Sequence, residues 1–211
     1  MVNKKKKHQG HLGAGTTANS NANDYYITPD CMTNLLFKKL DWKIKATDSF
    51  YDPACGEKNN IIKNIEIDHK YCYYTDLTEG FDYLTGQLNL LCDWIITNPP
   101  YKIKSEFLKQ AFKNKPNKGI IFLIPTRWKF SLEFYKILTE EKEYYLNTEF
   151  TFNRQLELSD SETENVKAGM ALYSWMVFTK NTIPNLGFSA GETILDIQPY
   201  IIKKGSKNEK K

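Results

Sequence analysis

The segment Cys92–Lys102, CDWIITNPPYK, runs an apolar stretch into two consecutive prolines, with an amide side chain before them and an aromatic ring after. Trp94, Ile95 and Ile96 are aromatic or β-branched and follow one another without polar alternation, the pattern of a buried strand. Proline has a fixed φ and no N–H, so Pro99 and Pro100 end that strand and leave rigid carbonyls without a local donor. A chain that leaves a buried strand through Asn98, Pro99, Pro100 and Tyr101 presents hydrogen-bond acceptors beside a ring.

Outward from this point the pattern alternates. Downstream, SEFLKQAFKN places Phe107, Leu108, Ala111 and Phe112 on one side of a helix, KGIIFLIP reads as a fully buried strand and SLEFYKIL as a helix. Upstream, DCMTNLLFKKL sets Met32, Leu35, Leu36 and Leu40 at helical spacing behind Asp30, an expected N-terminal cap. SFYDP and KYCYYTDL read as strands and KNNIIKN as a short helix between them. In the last third, EFTFNRQLEL and MALYSWMVF read as antiparallel strands around a polar loop. Strand and helix alternate to about Leu138, which predicts a parallel α/β sheet covered by helices, with the antiparallel pair appended.

The chain has 211 residues, 41% apolar and 26% charged, an ordinary balance for one globular domain. That domain is expected over residues 24–202, between basic tails at 1–23 and 203–211 that contain almost nothing to bury. No apolar run approaches membrane-spanning length, and the N-terminal lysines lack the apolar segment of a signal peptide, so a cytoplasmic location is expected. Cys31, Cys55, Cys72 and Cys92 stand about twenty residues apart without paired spacing and read as reduced thiols, with no metal site expected.

In an open α/β sheet, ligands bind beyond the carboxyl ends of the strands. Four loops there carry unusual residues: Asp52–Glu57 (DPACGE), where Gly56 lets backbone approach a ligand; Asp76, placed where such folds hold a ribose hydroxyl; Asp82, flanked by aromatics; and Asn98–Tyr101 (NPPY). Each has a plain alternative as turn chemistry, a strand-end cap or a chain breaker. Their order and spacing favour a shared site.

With these motifs the chain resembles the S-adenosylmethionine-dependent methyltransferases, and among them the DNA adenine-N6 group of small phage and bacterial enzymes. DPACGE is similar to that family's first motif, NPPY to its catalytic motif, and Tyr26–Pro29 (YITP) to a cofactor motif that one subgroup places before both. The resemblance implies a Rossmann-like methyltransferase fold, with a mostly parallel seven-stranded sheet, one antiparallel strand near an edge and helices on both faces. It also implies S-adenosyl-L-methionine as cofactor, bordered by Asp52, Pro53, Ala54 and Gly56 at its methionine part, Asp76 at the ribose and Asp82 at the adenine, with Tyr26, Thr28 and Pro29 closing the pocket. DNA is the implied partner, and a specificity or restriction subunit is a further one the resemblance leaves room for. Lys58 stands where the family usually has a second glycine.

An adenine N6 amine is a poor nucleophile because its lone pair is delocalised into the ring. Two acceptors, the Asn98 side-chain oxygen and the Pro99 carbonyl, would localise that pair, Pro100 would stiffen the turn, and Tyr101 would stack on a base flipped from the duplex. Any planar NH2 fits the same acceptors, so RNA adenine and a protein glutamine amide stay open as substrates, as does a non-catalytic nucleic-acid-binding subunit. Between Tyr101 and Phe130 eight basic residues face one acidic residue. Lys102, Lys104, Arg127 and Lys129 are candidate phosphate contacts, and Phe152 a candidate stacking surface. With so little chain left after SWMVF, base reading is expected from loops, among them Leu158–Gly169, and a short target follows.

Overall fold

The computed structural model describes residues 26–40, 44–65, 71–86, 90–158, 166–180 and 194–201; the expected tails and the acidic centre of the Leu158–Gly169 loop lie outside them. Its elements in chain order are α1 (Asp30–Leu40), β1 (Phe50–Asp52), β2 (Cys72–Tyr74), β3 (Trp94–Thr97), α2 (Lys104–Asn114), β4 (Gly119–Pro125), α3 (Leu132–Glu140), β5 (Tyr144–Phe152), β6 (Leu156–Glu157), β7 (Lys167–Ala168), β8 (Tyr173–Lys180) and β9 (Ile194–Leu195). A seven-stranded sheet runs β2-β1-β3-β4-β8-β5-β9, and its last member is the two-residue β9. Neighbouring strands are parallel except where β8 lies antiparallel between β4 and β5.

Strand residues alternate between the faces, and each face has its own core. Trp94, Ile96, Ile121, Leu123, Trp175 and Val177 pack with Met32, Leu36 and Leu40 of α1. Ile95, Ile120, Phe122, Ile124, Met176 and Phe178 pack with Phe107, Leu108 and Phe112 of α2 and Phe134 and Ile137 of α3. Both faces of β3 and β4 are covered, which is why their sequences carry no polar alternation.

Four local expectations change. Asp30 is the first residue of α1, and its carboxylate accepts from Asn64 Nδ2 at 2.7 Å. The helix expected at KNNIIKN shortens to a single 3-10 turn, Ile62–Asn64. Strand β5 begins at Tyr144, well before the expected start, because a bulge between Leu146 and Thr148 interrupts its alternation. Strand β9 was hidden by its length; it extends the sheet beyond β5, with Leu195 and Ile197 in the core.

Candidate functional site

Strand β1 pairs with β2 on one side and β3 on the other, so the connections leave it in opposite directions and open a crevice at its carboxyl end. A cavity of about 670 Å³ occupies that crevice, within the range of small-molecule sites. Its wall comes from the loops after β1, β2 and β3, from the extended strip Tyr26–Thr28 ahead of α1, and from Ile103 and Phe107 at the start of α2.

The loop after β1 is held from behind. Asp52 is fully buried, and its Oδ1 accepts from the Ala54 N–H at 3.0 Å, an Asx turn that folds Pro53 and Ala54 toward the cavity. Burial pushes the Asp52 carboxyl up to about 7, with the Thr97 hydroxyl and Ala54 N–H pulling the other way and the Asp76 charge adding to the rise. Thr97 lies near enough to ease that charge without bonding it: Asp52 Oδ2 and Thr97 Oγ1 are both buried without a hydrogen-bond partner. Gly56 turns at φ 63°, a left-handed conformation that favours glycine, and its N–H donates to Asp76 Oδ2 at 2.8 Å. The other left-handed residue of this loop is Asn59, at φ 49°, a type that tolerates the region. Lys58 itself needs no glycine-like backbone and stands exposed at the cavity rim.

After β2, Asp76 is 8% exposed and both oxygens are engaged: Oδ1 accepts from the Thr78 N–H and hydroxyl at 2.9 and 2.7 Å, and Oδ2 from Gly56. Asp76 therefore clamps the first loop to the second while still lining the cavity. Asp82 lines it too, its carboxylate accepting from the Leu84 N–H and Thr85 hydroxyl, each at 2.9 Å. Cys55 is a lining residue whose thiol is pushed up to about 12 by burial and then by Asp52 and Asp76, so it stays protonated near neutral pH.

After β3, Asn98 Nδ2 donates to the Tyr26 carbonyl at 3.1 Å. That bond fixes the amide orientation and leaves Oδ1 as the acceptor, buried without a hydrogen-bond partner in the cavity wall. Pro99 is buried, Pro100 lines the cavity, and the Ile103 N–H donates to the Pro100 carbonyl at 3.1 Å, closing the turn. The Tyr101 ring stacks with Tyr26 at 5.6 Å and 20° and tilts against Tyr173 at 5.9 Å.

Of the residues singled out from sequence, Tyr26, Thr28, Pro53, Ala54, Gly56, Asp76, Asp82, Asn98 and Pro100 converge on one cavity. Four of the expected catalytic and cofactor residues do not line it: Pro99 and Tyr101 of the turn after β3, and Asp52 and Pro29. Asp52 is shut off by its own loop, and Pro29 is buried where its carbonyl accepts from the Met32 N–H at the start of α1. Phe152 is a correction: it is fully buried in the α1-side core with Phe150, because both fall on the inward face of β5, so it offers no stacking surface. The basic excess also divides, since α2 runs from the carboxyl to the amino ends of the strands. Lys113, Lys115 and Lys118 lie at the far end, where Lys115 pairs with Glu143 and Lys118 with Asp48. At the site end, Lys104 donates to the Tyr101 carbonyl and covers the Trp128 ring, and Lys129 pairs with Glu149 at 2.6 Å. Lys102 and Arg127 remain exposed there. In the same turn as Arg127, Phe130 is 80% exposed.

The sequence reading missed Asn60, which is 4% exposed, lines the cavity and donates through Nδ2 to the Thr28 carbonyl at 3.0 Å. Within the polar run EKNN nothing separates it from a turn residue. The apolar wall of Ile61, Leu77, Phe81, Ile103 and Phe107 was likewise legible only as core or loop.

No family model and no curated protein matches the chain. Among solved structures it is similar to a Listeria monocytogenes protein assigned to the class I S-adenosylmethionine-dependent methyltransferases, at 17% identity and a TM-score of 0.52, over 76% of this chain and 62% of that one. It is similar to a Pyrococcus horikoshii protein assigned as an RNA methyltransferase, at 14% identity and a TM-score of 0.52, over 75% of this chain and 88% of that one. A modification subunit assigned to a type I restriction enzyme of Vibrio vulnificus matches at 14% identity and a TM-score of 0.50, over 78% of this chain and 46% of that one. The chain thus spans under two thirds of the Listeria and Vibrio proteins. The fold is the Rossmann-like fold of these methyltransferases. Among the described residues no helix is long and apolar enough to cross a membrane, and no cluster of His, Cys, Asp and Glu is arranged for a metal.

Proposed function

We propose that this protein binds S-adenosyl-L-methionine in the crevice at β1 and β3 and transfers its methyl group to the N6 amine of adenine in DNA. The observation that carries the proposal is Asn98: its Nδ2 is committed to the Tyr26 carbonyl, and its Oδ1 stands buried and unpartnered in the cavity wall beside Pro100. A buried acceptor without a donor is costly, which argues for a ligand N–H at that spot.

The cavity suits the cofactor. Its charged lining is three acidic residues, Glu57, Asp76 and Asp82, against Lys58, a balance that favours a cation, and its apolar wall suits a nucleoside and a thioether chain. When bound, S-adenosylmethionine supplies a methyl group on a positively charged sulfur. The chain's own residues supply position and electrostatics. Asn98 Oδ1 and the Pro99 carbonyl each accept one N6 hydrogen, drawing the lone pair out of the ring and toward the methyl group. The prolines keep those acceptors from relaxing, so their dipoles need no reorganisation during the reaction. Tyr101 gives the flipped base an aromatic face once Tyr26, now stacked on it, moves aside. Lys102 and Arg127 would contact the phosphates, with Phe130 beside them, and Lys104 and Lys129 would act through the turns they brace.

The reading is tested by offering the purified protein labelled cofactor with DNA, RNA and mixed protein in parallel. Label in DNA supports it; label only in RNA or protein moves the same chemistry to another amine.

A further inference from the structure

Two asparagines hold the strip Tyr26–Thr28 in the same way. Asn98 Nδ2 donates to the Tyr26 carbonyl at 3.1 Å and Asn60 Nδ2 to the Thr28 carbonyl at 3.0 Å, and each leaves its Oδ1 buried without a hydrogen-bond partner. Asn98 reaches from the loop after β3 and Asn60 from the loop after β1, so one strip ties the two loops together. The substrate amine accounts for Asn98. Nothing in the proposed transfer accounts for Asn60.

Asn60 is 4% exposed, lines the cavity with Pro53, Ala54 and Gly56, and cannot turn its oxygen away without giving up the bond to Thr28. Its free atom is an acceptor only, so the ligand group it meets must bring N–H or O–H donors; a carboxylate there would face lone pair to lone pair. We infer that Asn60 Oδ1 accepts a hydrogen bond from the α-ammonium of the methionyl part of the cofactor, and so sets where that end of the molecule lies. This rests on the cofactor reading above, in which the loop containing Gly56 borders the methionyl part. A neutral amide does this without adding charge close to Asp52 and Asp76, whose carboxylates already oppose each other. Asn60 is thus a cofactor-positioning residue, and Thr28 orients it.

The test is calorimetric titration of the full chain with three probes: S-adenosylhomocysteine, its analogue lacking the α-amino group, and methylthioadenosine, which lacks the whole amino-acid part. A hydrogen bond to a charged donor is worth roughly tenfold to a hundredfold in affinity. The wild-type protein is expected to bind S-adenosylhomocysteine more tightly than the des-amino analogue by that factor. Asn60→Ala is expected to lose the discrimination while its affinity for methylthioadenosine stays within about threefold. Equal losses for all three probes, or no amino-group preference in the wild-type protein, would overturn the inference and leave the cofactor reading standing. No binding of S-adenosylhomocysteine by the wild-type protein would remove both. If Asn60→Ala does not fold, Asn60→Leu, of similar volume and without an acceptor, is titrated in its place, and an amino-group preference kept at wild-type size there would overturn the inference.

Discussion

Two side chains in the site carry consequences that can be measured singly. In the proposed reaction Asn98 faces the substrate amine, so Asn98→Ala is expected to lower methyl transfer at least a hundredfold, the scale for losing an oriented donor or acceptor at developing charge. S-adenosylhomocysteine affinity should change by less than about threefold, read by titration beside a single-turnover assay; equal loss in both would assign Asn98 to cofactor binding instead. Asp52 has a different consequence. Its carboxyl is raised from 3.8 to about 7 in the fold, so the folded chain keeps a proton that the unfolded chain gives up. Stability from this residue is therefore greatest below pH 4, falls as pH rises through this window, and levels off above pH 7 at a cost of roughly 4 kcal/mol at about 1.4 kcal/mol per pH unit. Asparagine keeps the acceptor for the Ala54 N–H and carries no charge. Asp52→Asn should gain stability on the wild-type protein from pH 5 to pH 8 in urea titrations, whereas parallel profiles would mean that Asp52 is ionised without penalty.

Among the elements, α2 and the turn Thr126–Phe130 after β4 would, under the proposed function, decide how the protein meets a polyanion. Removing one phosphate contact flattens the plot of log affinity against log salt by about one. Arg127→Ala is expected to do this for DNA, and Lys115→Ala, which removes a cation paired to Glu143 at the far end of the sheet, to leave the slope unchanged. The reverse pattern would put the nucleic acid at the amino ends of the strands. The same elements show what the sequence could and could not tell. Strands β3 and β4 and helix α2 were legible because burial writes itself as period: unbroken apolar runs for strands covered on both faces, and Phe107, Leu108, Ala111 and Phe112 on one side of a helix. The loops were legible as parts of one crevice because proline and glycine constrain backbone whatever surrounds them. Charge was misleading, since a count along the chain cannot say which end of α2 a lysine occupies or whether Glu143, Asp48 or Glu149 waits across a gap in sequence. Phe152 failed for a related reason: it pairs with Leu195 of β9 and packs in the α1-side core, and a two-residue strand far later in the chain leaves no readable pattern. Asn60 could not be found at all, because its burial depends on the strip Tyr26–Thr28, more than thirty residues earlier, folding over it.

At the scale of the whole molecule, one architectural fact places the site. The chain builds β2 on one side of β1 and returns to lay β3 and β4 on the other, so the loops bearing Gly56, Asp76 and Asn98 meet at one crevice while two separate cores hold the sheet from either face. The strip Tyr26–Thr28 is tied to that crevice through two asparagine bonds, so the proposed cofactor and amine subsites would share a single cavity wall. The central claim is that this wall presents a methyl donor to the N6 amine of adenine. It is tested most directly by treating unmethylated DNA with the purified protein and S-adenosylmethionine, digesting the DNA to nucleosides and identifying the product by mass spectrometry. N6-methyladenine, formed by the wild-type protein and absent with Asn98→Ala, is the result predicted here; methylated cytosine, or no methylated nucleoside from a protein that binds the cofactor, would contradict it.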